Sequence, residues 1–228
     1  HRIAKKIGLI ETKILLPKKD ILRKLAVYCP LNHSDKLKNA LFVAGAGNLG
    51  NYEKCSFSSL GKGTFFPKKE ANPYSGKIAE LNIEKEEKIE VIYPLQIENK
   101  VLLAMLNSHP YEEVSYQIYN LANTYNQVGS GLLGQLKSPI NSFDFILELK
   151  KNMNTKSIRY TKLVNDKINR VAICGGSGSF LLAEAIKSQA DIFISSDFKY
   201  HDFFNADDKI VIADIGHYES EQFTKNLI

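Results

Sequence analysis

Three short runs in the second half of the chain, RVAIC (Arg170–Cys174), IFIS (Ile192–Ser195) and IVIA (Ile210–Ala213), are apolar almost without interruption. A strand with one face in water alternates apolar and polar residues, so unbroken runs belong to strands covered on both faces. Two of the runs lead straight into helical patterns, Phe180–Gln189 and His217–Asn226, which places this half in the α/β class with a mainly parallel sheet. The segment FDFILEL (Phe143–Leu149) reads as one more strand. In such sheets ligands collect at the carboxyl ends of the strands, where loops and helix N-termini converge.

The first half has a different rhythm. Leu22–Pro30 reads as a strand closed by its proline, and Ser34 or Asp35 then caps a helix with Leu37, Leu41 and Phe42 on one face, stopping at Gly45-Ala46-Gly47. Residues 55–66, interrupted by Gly61-Lys62-Gly63, read as a hairpin or a bent strand, and Asn72–Gly76 as a loop. Lys88–Tyr93 is a strand, Glu98–Asn107 a helix with Val101, Leu102, Met105 and Leu106 inward, and Glu113–Leu121 a last strand. The order is β-α-β-β-α-β, the ferredoxin-like pattern.

At 228 residues there is room for one large domain or two of roughly 100 each. The chain is 44% hydrophobic and 24% charged, as an ordinary globular protein is, and no apolar run approaches the ~18 residues that would span a bilayer. The basic start, His1–Lys6, lacks the apolar segment and small-residue cleavage site of a secretory signal, so a cytoplasmic protein is expected. Cys29, Cys55 and Cys174 are far apart and never form C-x-x-C, which supports neither a disulfide framework nor a thiolate zinc site; they read as buried small apolar residues. The 30 Lys and Arg against 25 Asp and Glu are scattered, without the concentrated basic face of a nucleic-acid binder.

Three strand ends in the second half are polar or glycine-rich. Cys174-Gly175-Gly176-Ser177-Gly178-Ser179 leads into a helix and would aim backbone N–H groups at one point, making Gly175, Gly176, Ser177 and Gly178 a candidate anion cradle; a tight turn needing small residues explains it equally. It matches neither a Walker loop nor a dinucleotide fingerprint. At Ser195-Ser196-Asp197, Asp197 and His201 lie four apart, on one helix face, as a carboxylate orienting an imidazole or a metal contact; an N-cap and an ordinary histidine are the alternative. In Asp214-Ile215-Gly216-His217-Tyr218-Glu219-Ser220-Glu221 a strand ends, Gly216 permits a sharp turn, and His217 and Glu221 project from one helix face. That pair suits zinc, manganese or iron; a helix-start histidine beside a surface glutamate is the plainer reading.

The runs DIGHYESE (Asp214–Glu221), CGGSG (Cys174–Gly178) and SSDFKYHD (Ser195–Asp202), together with the long blocks AGAGNLGNYEKCSFSSLGKGTFFP (Ala44–Pro67), NPYSG and HPYEEVSYQIY (His109–Tyr119), resemble the Nif-three-like family over essentially the whole chain. That resemblance implies a dinuclear-metal protein, often labelled a GTP cyclohydrolase I type 2 homologue. It also implies an α/β core split by an insertion similar to the trimeric PII and copper-tolerance proteins, and toroidal hexamers whose paired metals face an internal cavity. Residues 1–21 would then end the first core half, 22–122 form the insertion and 123–228 the second half. His217 and Glu221 fall on the two ligands of the family's C-terminal half, with His201 as a candidate supporting or acid–base group.

The family's other ligands, an adjacent histidine pair and an aspartate, belong to an N-terminal half, and the chain contains no His-His dipeptide. An internal fragment of a longer protein is therefore expected, metal-free when alone, since two ligands do not hold two ions tightly. The function implied is a metal-dependent hydrolase acting on a nucleotide or phosphate-containing substrate. The alternative is a non-enzymatic assembly or small-ligand sensing protein working through the PII-like domain, because a fold does not by itself imply catalysis.

Overall fold

The computed structural model describes residues 2–223. They divide into two units, Lys19–Tyr125 and the flanking sequence up to Lys18 and from Asn126 onward. No described helix is long and apolar enough to cross a membrane.

In Lys19–Tyr125 the order is strand Leu22–Pro30, helix Ser34–Val43, strands Ser56–Phe65 and Asn82–Pro94, helix Glu98–Ser108 and strand Tyr116–Leu121. All pairings are antiparallel, with Asn82–Pro94 and Leu22–Pro30 central and Ser56–Phe65 and Tyr116–Leu121 at the edges. That is the ferredoxin-like arrangement. The register Leu25↔Val91 and Val27↔Ile89 puts these side chains on one face, where they pack with Leu37, Leu41, Val101 and Met105 of the two helices. Tyr28, Glu86, Lys88 and Gln117 alternate with them and belong to the opposite face.

Several expectations change here. Helix Ser34–Val43 follows a 3-10 turn, Leu31–His33, so the cap position is His33, and the Ser34 hydroxyl donates back to the Leu31 carbonyl at 2.9 Å. Phe42 is half-buried, beside the fully covered Leu37 and Leu41. In helix Glu98–Ser108 the buried stripe is Val101, Met105 and Ser108; Leu102 is half-buried and Leu106 faces out. Residues 56–65 form one strand paired along its length, and at Gly63 the Glu86 side chain lies where a Cβ would collide. Cys29 is buried, its thiol pushed up to about 12 mainly by burial, whereas Cys55 and Cys174 are only half-buried.

The other unit holds a six-stranded sheet in the order Ile10–Lys18, Tyr125–Asn141, Lys167–Ser177, Ile192–Ser196, Val211–Asp214, Arg159–Tyr160. Lys167–Ser177, Ile192–Ser196 and Val211–Asp214 are parallel. Ile192, Phe193 and Ile194 are all at most 1% exposed, with Ile192 and Ile194 in one core cluster and Phe193 in another, so this strand is covered on both faces. Phe143–Leu149, expected as a strand, lies within the helix Ser142–Asn152. Phe145, Ile146 and Leu149 form its buried face, with Met153 just after it in the same cluster, and the Asn141 side chain accepts the N–H groups of Phe143 and Asp144 as its cap. Tyr125–Asn141 was not expected as a strand. Its glycines hide the pattern: Gly129 lies so close to Leu16 and Ile14 that a Cβ would collide, and the register slips between Gln135 and Ile140. The expected helix Phe180–Gln189 is a 3-10 turn, Ser179–Leu181, followed by Leu182–Lys187. Of His217–Asn226, helix His217–Glu221 is described, and the end of the expected span lies outside the described residues.

Candidate functional site

The parallel strands end side by side, Ser177 opposite Ser196 and Asp214 opposite Ser195. Buried hydroxyls tie these ends together. Ser195 donates to the Gly176 carbonyl at 2.9 Å, while Ser220 accepts the Gly176 N–H and donates to the His217 carbonyl, both at 2.8 Å. Gly216, at φ +90, makes the turn from the last strand into the helix that carries His217 and Glu221.

His217 is held from both sides. Its Nδ1 stands 2.5 Å from Asp197 Oδ2 and its Nε2 3.1 Å from Glu221 Oε2, with all three side chains about half exposed. Ionised carboxylates only accept, so Nδ1–H donates to Asp197. The Asp197 hydrogen bond and charge, and then the Glu221 charge and hydrogen bond, raise the His217 pKa above its ordinary value.

Buried Asp214 brings the group together. One of its oxygens accepts the Gly216 N–H at 3.1 Å, and the other accepts the Phe198 N–H at 3.3 Å and pairs with Arg159. Phe198 follows Asp197 and Gly216 precedes His217, so one carboxylate sets both backbones. A polar cleft of about 240 Å³, lined by Lys156, Arg159, Asp197, Asp214, Gly216 and Glu219, lies alongside.

Asp197 and His201 do not share a helix face. Asp197 follows its strand at φ +60 and turns to His217, and His201 sits on the 3-10 stretch Tyr200–Ala206 with its Nε2 3.6 Å from Asp202. A carboxylate does orient an imidazole here, but the partner is twenty residues away. Along Gly175–Gly178 the strand continues to Ser177, and the Gly176 N–H is committed to Ser220. These glycines provide closeness, since a Cβ on Gly176 would come within 2.5 Å of Glu221 Oε1. Sequence reasoning missed the part of Arg159, which has no helical or strand periodicity to mark it, and of Asp214, whose only signal was its place at a strand end.

As donors, His217 Nε2 and the Glu221 carboxylate suit a hard-to-borderline divalent ion, and the Asp197 bond to Nδ1 is the support that metal-ligating imidazoles ordinarily have. Among the described residues no three His, Cys, Asp or Glu side chains form a complete ligand set.

The model of Duf34/NIF3 (NGG1p interacting factor 3) matches residues 1–228. The chain belongs to this family. A GTP cyclohydrolase 1 type 2 homolog of Halalkalibacterium halodurans is 38% identical over 217 residues, covering 94% of this chain and 58% of the relative. Its counterpart from Bacillus subtilis is 35% identical over 221 residues, 95% of this chain and 58% of the relative. Among solved structures, the Bacillus cereus protein related to NIF3 superposes with a TM-score of 0.84 at 32% identity, covering 99% of this chain and 60% of that one. The chain thus spans less than two thirds of the length of these family members.

Proposed function

We propose that Asp197, His217 and Glu221 are this chain's share of a dinuclear divalent-metal centre in a metal-dependent hydrolase acting on a nucleotide or phosphate-containing substrate. One observation carries the reading: His217 Nε2 and Glu221 Oε2 converge at 3.1 Å while Asp197 holds Nδ1 at 2.5 Å. In the metal-free chain the ring faces two acceptors and so favours the imidazolium; with that Nε2 proton lost, His217 Nε2 and the Glu221 carboxylate would hold a divalent ion. Asp197 keeps the remaining proton on Nδ1, which points the Nε2 lone pair at Glu221. When bound, divalent ions supply Lewis acidity and a water of lowered pKa. Lys156, in the adjacent cleft, would meet an anionic substrate group, while Arg159 there is committed to Asp214. The remaining ligands are those the family resemblance implies, a histidine pair and an aspartate from further sequence.

The same reading makes residues 22–122 a PII-like insertion in the metal-binding core, and the whole a toroidal hexamer in the cytoplasm. Phe57, Leu60, Leu81 and Ile83, all at least 65% exposed, offer apolar surface for assembly, and the three free thiols suit a reducing compartment.

Metal analysis by plasma mass spectrometry tests the centre. Carrying the remaining length that its relatives have, the protein retains about two ions per chain after dialysis, as paired-metal sites do, and loses them in His217→Ala and Glu221→Ala. Full metal content in His217→Ala overturns the assignment.

A further inference from the structure

A cavity of about 900 Å³ lies wholly within the unit Lys19–Tyr125 and includes none of Asp197, His217 and Glu221. Its wall includes Tyr28, Phe65, Tyr74, Glu86, Tyr111 and Gln117. Glu86 is only 9% exposed, yet forms no ion pair among the described residues: its Oε1 accepts the Tyr111 hydroxyl at 2.8 Å, and its other oxygen lies over Gly63. A carboxylate has about four acceptor sites and Glu86 uses one of them on a neutral donor, which leaves acceptor capacity for a ligand in the cavity. Tyr74 is fixed in place, its hydroxyl 2.9 Å from Asn32 Nδ2 and 3.0 Å from His33 Nε2, and the Asn72 N–H ties the same loop to Glu112 at 2.9 Å.

Aromatic walls around a carboxylate with acceptor capacity to spare suit a flat ring that carries N–H donors. The charges narrow this further. Lys62, Lys68 and Lys88 line the cavity together with four carboxylates, Glu70, Glu86, Glu112 and Glu113, a balance that does not favour a polyphosphate.

We propose that this cavity binds an amino-substituted heteroaromatic base or its nucleoside, with Glu86 accepting the ring's N–H donors and Tyr28 and Tyr74 packing on its faces. The site uses residues of the unit Lys19–Tyr125 alone, and gives a small-ligand role for this unit a defined chemistry.

The probe is 2-aminopurine riboside, whose fluorescence is quenched on stacking, titrated into the full chain with GTP and inorganic phosphate as comparisons. Expected is saturable quenching, unaffected by equal phosphate, at least tenfold weaker in Glu86→Gln and severalfold weaker in Tyr74→Ala, and unchanged in His217→Ala. Circular dichroism melts confirm that the variants fold, and Tyr74→Ala, at an exposed ring, serves if Glu86→Gln does not. No quenching at millimolar probe, equal binding by the folded Glu86→Gln and Tyr74→Ala variants, or binding of GTP without binding of the nucleoside overturns the proposal. Occupation of the cavity by a second copy of the chain would appear as absent quenching and counts against it in the same way.

Discussion

Asp197 Oδ2 and His217 Nδ1, at the ends of neighbouring parallel strands, meet at 2.5 Å because the buried carboxylate of Asp214 binds the backbone next to each of them. The geometry of the exposed pair therefore depends on a residue that does not touch the imidazole.

Removing the Asp197 charge lowers the His217 pKa. In the chain without metal, NMR titration of the His217 ring gives a midpoint above the ordinary histidine value, since the first cause of the shift is the Asp197 hydrogen bond and charge. Asp197→Asn brings it down toward ~6.5. Because the folded pKa is raised, the pair's contribution to stability is fully present below ~6.5 and fades as pH rises through the folded value. A midpoint unmoved by Asp197→Asn refutes the contact.

Asp214→Ala leaves the Phe198 and Gly216 N–H groups without their acceptor and Arg159 without its partner. A loss of about 2–4 kcal/mol in urea unfolding follows, discounted because Arg159 is largely exposed. The same variant lowers the His217 midpoint, as Asp197 is no longer held beside it; a variant that unfolds like the parent contradicts the clamp.

Acid destabilises the unit Lys19–Tyr125 through His109. Its Nε2 stands 2.8 Å from the Tyr28 carbonyl and its Nδ1 accepts the Tyr111 N–H at 3.1 Å, which fixes a neutral ring. Burial is the main reason its pKa is lowered. With the folded value below the unfolded one, the stabilisation is present above ~6.5 and is lost as pH falls from there toward the folded value. Thermal melts of the chain between about pH 7.5 and 5 show this slope, and His109→Asn flattens it.

Leu149 and Leu147 separate helix from strand at Ser142–Asn152. Leu149 is 1% exposed and Leu147 51%. Leu149→Ala costs about 2–5 kcal/mol of unfolding free energy, and Leu147→Ala within about 0.5. On an alternating strand both residues would share a face, so equal losses in denaturant melts would restore the strand.

Much of the architecture was legible in sequence because it rests on local period. Unbroken apolar runs at Arg170–Cys174, Ile192–Ser195 and Ile210–Ala213 require cover on two faces, and the alternation in Lys88–Tyr93 requires cover on one. Spacing also put His217 and Glu221 on one helix turn, since residues four apart on a helix are neighbours wherever the helix lies. Phe143–Leu149 misled because FDFILEL alternates and also carries a helical stripe; the choice fell to the core cluster that Phe145, Ile146 and Leu149 join. Asp197 illustrates the rest. Its nearest histidine in sequence is His201, but a left-handed backbone at the strand end and the Asp214 clamp deliver it to His217. Period and spacing are properties of one segment and survive without the fold. Which carboxylate faces which imidazole, and which buried glutamate floors a cavity, depend on strand order and register, which only long-range packing decides.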